Sequence, residues 1–307
     1  MDLRQLAALT AVADCGTFSA AADRLHTVQS NVSAHVARLE RQLGVILVDR
    51  AAGRLTEEGE VVVARARRVQ HELEALVADV TALRDEVIGD VRVGIIGTVA
   101  RWLFPLLHQV MCEQHPKVRM IVVEASTTSL IPQLLAGSLS LAVVNAPIDD
   151  PDVMVTPLFD ESMIAVIPES HPLSARVELH IEDLADAPLI LPPSGASYRP
   201  ELDAAARAAG IVLAPIAEID GVRLITSLAF DGAGIGIVPT TAAPQRLTGS
   251  WRSIPVVDLP GRHVGLVQRR RGMLPAPARA LAAVLPAVVA EAARSQPGVT
   301  LVPAPPR

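Results

Sequence analysis

Aromatic side chains are nearly absent from this chain: two Trp, one Tyr and four Phe in 307 residues. Half of the residues are nonetheless hydrophobic, so the interior has to be built from Leu, Val, Ile and Ala. Two cysteines, Cys15 and Cys112, exclude a disulfide framework and read as reduced, mostly buried thiols. Lysine occurs once, at Lys117, and every other strong base is Arg, a bias that points to a GC-rich coding sequence rather than to a mechanism. The longest apolar run, Ala280 to Ala290, contains Pro286 and is too short to span a bilayer. The opening "MDLRQLAALTAVADCG" interrupts its apolar pattern with charges and has no secretory h-region. A soluble, cytoplasmic protein with no membrane partner is expected.

Catalytic signatures are missing as well. His108, His115, His171, His180 and His263 show no metal-ligand spacing, and Ser194-Gly-Ala-Ser197 lacks the flanks of a nucleophile elbow. "GAGIGI" (232–237) follows a helix and precedes a strand, the reverse of the order a dinucleotide loop needs, so it reads as a helix C-cap. No enzyme activity, cofactor or metal is expected.

A length of 307 residues calls for two or three domains. The net charge is -6, which does not announce a nucleic-acid binder, but it is uneven. Residues 1–56 carry six Arg against five acids, and residues 57–90 carry four Arg against nine. Any DNA contact must therefore come from a local arrangement of Arg.

In "LHTVQSNVSAHVARLERQLG" (25–44), Val28, Val32, Val36, Leu39 and Leu43 recur at the spacing of one helix face. Between them lie Gln29, Ser30, Asn31, Ser33 and His35, groups that donate and accept hydrogen bonds, where a surface helix normally carries Lys and Glu. A short helix in "FSAAADRLH", with Ser19 as N-cap, precedes it after a turn, which makes a helix-turn-helix over about 18–37. "VILVDRAAGRLT" reads as a hairpin wing carrying Arg50 and Arg54 near its tip. Amides and hydroxyls match the mixed donors and acceptors of the major groove. Thr27, Gln29, Ser30, Asn31, Ser33, His35 and Arg38 on the helix, with Arg50 and Arg54 on the wing, are the candidate DNA contacts.

From Glu57 to Val87 one long helix is expected. Val62, Ala66, Val69, Leu73, Leu76, Val80, Leu83 and Val87 alternate spacings of 4 and 3, which argues a coiled-coil seam and hence a dimer. Beyond Gly89 strands and helices alternate. Two stretches repeat the same order, each with a Glu ending a strand (Glu124, Glu218) and a Gly ending the next helix 13 or 14 residues on (Gly137, Gly232). The expected fold class is α/β with an N-terminal all-α winged helix-turn-helix, the remainder having two doubly wound lobes. The expected division is 1–56 for DNA binding, 57–89 for the linker and 90–294 for the lobes. Lobe I takes about 90–162 plus 265–294 and lobe II about 163–264, while the Pro-rich tail 295–307 is expected to be disordered. Ligands of such sheets bind beyond the carboxyl ends of strands, at free helix N-termini. Thr98, Ser126, Thr127, Ser194, Ser197, Tyr198 and Val222 are the candidate effector contacts.

"GTFSAAADRLHTVQSNVSAHVARLERQLGVILVDR" with "LTEEGE" resembles the N-terminal signature of the LysR-type transcriptional regulators, and the resemblance spans nearly the whole chain. "EASTTSLIPQLLAGSLSLAVV" and "MIAVIPESHPL" resemble that family's effector-binding region more loosely. The resemblance implies a winged helix-turn-helix, a linker helix, two lobes of periplasmic-binding-protein type, and a homodimer or homotetramer. Val28, Ala34, His35, Val48 and Ser140 depart from its pattern, so relatives' operators and effectors are not carried over. The expected function is a sequence-specific transcription regulator controlled by a small molecule. Its partners would be promoter DNA, the effector, further copies of itself and RNA polymerase. The rival readings are a cytoplasmic small-molecule-binding module or an enzyme on the lobes, with the N-terminal region serving oligomerisation.

Overall fold

Three short helices form the N-terminal unit of the computed structural model, which describes residues 1–82, 86–195 and 198–302. Helix α1 (Leu3–Cys15) opens on a capping box: the Asp2 carboxylate accepts from the Gln5 N–H at 2.9 Å, and the Gln5 side chain accepts from the Asp2 N–H at 3.0 Å. Helix α2 (Phe18–Arg24) starts two residues earlier than the expected cap implies. Its cap is the Thr17 hydroxyl, not Ser19, and it accepts from the Ala20 N–H at 3.2 Å. His26, at φ 51°, makes the turn into α3 (Gln29–Leu43).

Helix α3 buries Val32, Val36 and Leu39 almost completely, each contributing about 1.5–3 kcal/mol. Val28, the N-cap, and Leu43, the last helical residue, stand at the ends of the same sequence pattern and are exposed. The wing is β1 (Val48–Asp49) paired antiparallel with β2 (Arg54–Leu55). The cysteines depart from expectation: Cys15 is half-buried beside this core and Cys112 is exposed.

The linker helix α4 (Glu57–Ala82) shares its start with that core through Val63 and Ala66. Further along, Val69, Leu73, Leu76, Val77 and Val80 stand exposed on the single chain. The helix is shorter than its seam predicted: Glu86–Ile88 are not helical, so Val87 falls outside it, and Leu83 lies outside the described residues. Arg67 of α4 pairs with Asp14 of α1 at 2.6 Å, and Arg68 donates to the Leu135 carbonyl of the next domain.

The remainder forms two lobes with one strand plan. Lobe I comprises β3 (Gly89–Ile95), α5 (Gly97–Gln114), β4 (Val118–Glu124), α6 (Thr127–Leu135), β5 (Leu141–Ala146) and β6 (Val153–Glu161). Lobe II comprises β7 (Met163–Pro168), β8 (Leu189–Leu191), α7 (Arg199–Ala208), β9 (Pro215–Glu218), α8 (Val222–Phe230), β10 (Ile235–Pro239) and β11 (Trp251–Pro255). The chain then returns to lobe I as β12 (Arg262–Arg269) and α9 (Ala276–Ala293).

The sheet orders are β4-β3-β5-β12-β6 and β9-β8-β10-β7-β11. In each, a run of three parallel strands is extended through two antiparallel pairings. The repeat read from Glu124 and Glu218 is therefore a repeat of mixed sheets. Helix α9 is long and apolar enough to cross a membrane by length and composition, but its apolar face is spent on lobe I, with Leu281, Leu285 and Val289 buried there.

The chain passes between the lobes at Glu161–Met163 and again at Pro255–Arg262. The two crossings touch: a Cβ at Gly261 would lie 2.7 Å from the Glu161 carbonyl oxygen, so only glycine fits there. The tail corrects the expectation of disorder. Val299–Leu301 form β13, which pairs antiparallel with β6, and the buried Gln296 amide donates to the Thr240 carbonyl at 3.0 Å. Composition alone hid this because the apolar residues of a three-residue edge strand are outnumbered by the prolines around them. Residues 303–307 lie outside the described residues.

Candidate nucleic-acid interface and effector cleft

Once α3 has spent its apolar face on α1, its first turn is left to solvent. Gln29, Ser30 and Asn31 are exposed there. The residue ahead of them, Val28, caps the helix without a side-chain acceptor, so the Gln29 and Ser30 N–H groups keep their donors free, at the end where the helix dipole favours an anion. The Thr27 hydroxyl does not cap the backbone. It accepts from the Asn31 amide at 3.0 Å and so orients that side chain.

The wing is tied to α3 by a carboxylate and a guanidinium. Glu40 accepts from the Leu47 and Val48 N–H groups at 2.9 and 3.2 Å. Arg50 lies 3.7 Å from Glu40, donates to the Ser33 hydroxyl at 3.3 Å and covers the Phe18 ring at 5.4 Å. Arg50 is thus held against α3 rather than projecting from the wing tip. Ser33 accepts from it and keeps its own proton to donate. Arg38 and Arg54 are exposed and make no ion pair among the described residues.

A groove of 690 Å³ runs between α2, α3 and the wing, lined by Phe18, Gln29, Ser33, Arg50 and Arg54. His35 does not line it. It sits three residues after Val32 and four before Leu39, the spacing of the buried face, and its Nδ1 is buried without a partner. At the start of α1 the Asp2 carboxyl is held below the usual range, chiefly by the Gln5 N–H.

In the effector domain the sequence candidates divide. Thr98, Ser126 and Thr127 gather at the carboxyl ends of the lobe I strands. Thr98, in the first turn of α5, is buried, and its hydroxyl accepts from Arg262 at 3.0 Å. Arg262 also pairs with the fully buried Glu161, whose other oxygen accepts from the Thr241 N–H at 3.1 Å. Thr98 is thereby wired to both interlobe crossings. Ser126 caps α6, and the Thr127 hydroxyl accepts from the Asn145 N–H at 3.2 Å.

On the lobe II side, Val222 opens α8 and packs on the lobe II core, while Ser194 is exposed in a turn before α7. Tyr198 was expected at the cleft but points into the core of lobe II, where its hydroxyl donates to the Ile237 carbonyl and burial pushes its phenol pKa up. The register of α7 decides this, because Tyr198 precedes the buried Leu202 by one turn. Ser197 lies outside the described residues.

The sequence reading missed the charges at the cleft. Arg223 of α8 reaches across to Glu124 at the end of β4, with 2.5 Å to each carboxylate oxygen. Arg246 donates to the Arg101 and Trp102 carbonyls. The first of these is freed because Pro105, four residues on, has no N–H to offer it. Arg101 itself lies over the Phe230 ring at 5.5 Å. A Glu at the end of a strand, at matching places in a repeat, was the available signal for Glu124. No periodicity marks Arg223.

Comparison with known proteins agrees with this geometry. Residues 3–60 match the family described as bacterial regulatory helix-turn-helix protein, lysR family, and residues 84–303 match the LysR substrate binding domain. A probable hydrogen peroxide-inducible genes activator of Streptomyces viridosporus is 32% identical over 289 residues, covering 92% of this chain and 93% of its own. The DNA-binding transcriptional dual regulator OxyR of Escherichia coli is 29% identical, covering 88% and 90%.

Among solved structures, a full-length OxyR cysteine variant from Pseudomonas aeruginosa superposes with a TM-score of 0.75 at 27% identity, covering 100% of this chain and 99% of that one. Full-length CbnR in complex with its target DNA superposes with a TM-score of 0.70 at 23% identity, covering 94% and 100%, and shares the fold. This chain belongs to the LysR family of DNA-binding transcription regulators and carries that family's effector-binding domain.

Proposed function

We propose that the protein regulates transcription as a homodimer, or a dimer of dimers, that reads operator DNA with the first turn of α3 and responds to a small molecule held between the lobes. The observation that carries this is the first turn of α3. Its carboxamides and hydroxyls face solvent beside a groove with Arg50 and Arg54 on its wall, while the buried face of the helix is fully used. Gln29 and Asn31 suit base edges, because a carboxamide can pair with adenine in a bidentate way. Arg38 and Arg54 suit phosphates, which position the protein without specifying sequence. Promoter binding brings RNA polymerase within reach as a partner, and the cytoplasm is where both would be met.

The exposed stripe of Val69, Leu73, Leu76, Val77 and Val80 supports a dimer, since a lone helix has nothing to cover it. The cleft reading rests on Thr98, Ser126 and Thr127 meeting at the strand ends opposite α8. Several curated relatives are named as hydrogen peroxide-inducible genes activators. A disulfide-based response needs two thiols within reach. Here Cys15 lies in the DNA-binding unit and Cys112 on α5, and lobe II has no cysteine. We therefore assign the signal to a ligand in the cleft rather than to an intramolecular disulfide.

Chromatin immunoprecipitation with sequencing tests the whole reading. Discrete peaks at promoters, sharing a motif of dyad symmetry, are expected. Binding spread without preference over the chromosome would contradict it.

A further inference from the structure

The equivalent carboxylates of the two lobes are used differently. Glu218, at the end of β9, pairs within its own lobe with the buried Arg199 at 2.9 Å. Glu124, at the end of β4, crosses to Arg223 of the other lobe. The crossing pair sits directly over the start of α5: a Cβ at Gly97 would lie 2.7 Å from Glu124 Oε1 and 3.0 Å from Arg223 Cδ. Glycine at 97 is what leaves room for the pair.

The surroundings favour an anion beyond what Glu124 supplies. Helices α5 and α8 both begin here, one from each lobe, and neither has a side-chain cap. Arg101 contributes a second guanidinium with no ion-pair partner among the described residues, and Arg246 a third. Burial holds the Arg101 pKa below its usual value, and the charges of Arg223 and Arg246 lower it further, which places all three cations within electrostatic reach of one another. Glu124 pairs with Arg223 alone, while Arg101 and Arg246 have no ion-pair partner among the described residues and both helix ends stay uncapped. The Glu124–Arg223 pair is also half-exposed, with 39% and 54% of the side chains accessible, so it is weak enough to be exchanged.

We propose that Glu124 is a tethered competitor for an anionic effector. The Glu124–Arg223 pair latches the lobes together, and a small carboxylate entering the cleft takes the place of Glu124 on Arg223. This rests on the cleft reading given above, and it adds the charge of the ligand and the group the ligand must displace. Departure of Glu124 frees the segment that leads through Ser126 and Thr127 into α6, whose far end is held by Arg269 and by Arg68 of the linker helix.

Two measurements on the full chain test it. The first uses no ligand: hydrogen exchange of peptides covering the starts of α5 and α8, at low and high sodium chloride. Wild-type protection should fall as salt screens the pair. Glu124→Gln should exchange about twofold to fivefold faster at low salt and lose the salt dependence. Unchanged protection in Glu124→Gln would overturn the latch.

The second is calorimetric titration with acetate against its neutral isostere acetamide, at matched ionic strength. Glu124→Gln should bind acetate about twofold to fivefold more tightly than wild type, and Arg223→Gln should lose binding while Arg223→Lys keeps part of it. Equal acetate affinity in wild type and Glu124→Gln would overturn the competition while leaving the cleft in place. Equal affinity in Arg223→Gln as well would move the ligand out of the cleft and overturn both readings, and no binding of acetate by any of the proteins would overturn the anionic assignment.

Discussion

Gln29 and Arg54 line the same groove and should fail in different ways. Gln29 offers a donor and an acceptor in fixed geometry, which one base pair satisfies better than the others, so Gln29→Ala should remove about 1–3 kcal/mol of preference for operator over scrambled duplex. The slope of log K against log salt should barely move. Arg54→Ala should weaken both duplexes alike and reduce that slope by one phosphate's share, about 0.9. Fluorescence anisotropy on both duplexes at several salt concentrations separates the two. Arg50 is a poor choice for the second test, because it also holds Ser33 and Glu40. Its truncation should perturb the wing as well as the charge.

His71 of α4 makes a separate residue-level prediction. It faces Gly137 of lobe I, and its pKa is pushed down to about 4, first by burial and then by Arg269, Arg92 and Arg67. A histidine with a depressed native pKa binds fewer protons folded than unfolded. Its contribution to stability is fully present above the unfolded value of about 6.5 and is lost as pH falls from there toward about 4. Urea unfolding of wild type should therefore show a midpoint that drops between pH 7 and pH 5, and His71→Asn should flatten that drop. An unchanged drop would place its origin elsewhere.

At the scale of elements, α4 carries the assembly. Leu76 is 61% exposed on the single chain, near the middle of the stripe running from Val69 to Val80. Leu76→Glu puts a charge where two apolar faces should meet, and analytical ultracentrifugation should then show monomers with greatly weakened operator binding. A variant that stays dimeric would move the interface elsewhere.

Elements also show how far the sequence could be read. Helix α3 was legible because burial of one face imposes a period that survives in the residues. The alternation in 90–294 was legible for the same reason, and Glu124 and Glu218 marked the repeat. The ends of elements were less so. Thr17 and Ser19 are equally good caps by composition, and it is Thr17 that has the extended backbone of a cap and accepts from the Ala20 N–H. Strands β7 and β11 fill antiparallel places in a sheet whose other members lie far along the chain, a pairing that no local pattern encodes. The ion pairs at the cleft join residues about a hundred positions apart, and Tyr198 looked accessible until the packing of α7 turned it inward.

At the scale of the whole molecule, a line of contacts joins the cleft to the DNA-binding unit. Glu124 meets Arg223 at the cleft, α6 carries the chain back to Arg68, and the next residue, Arg67, holds Asp14 of α1. Arg67→Ala should therefore leave ligand binding by the lobes unchanged, reduce the change in operator affinity that the ligand produces, and have little effect on the ligand-free complex. Anisotropy titrations with and without ligand would check it, and an unreduced response would show that the signal takes another route.

The central claim is that two copies of α3, set apart by a dimer of α4 helices, read two sites on one face of the duplex. DNase footprinting on a fragment selected by the protein from genomic DNA tests this most directly. Protection of two related half-sites, centred about one helical turn of ~10 base pairs or a multiple of it apart, is the expected result for the wild-type protein, with loss of paired protection in Leu76→Glu. A single unrepeated footprint, or an identical paired footprint from the Gln29→Ala and Asn31→Ala double variant, would contradict the account.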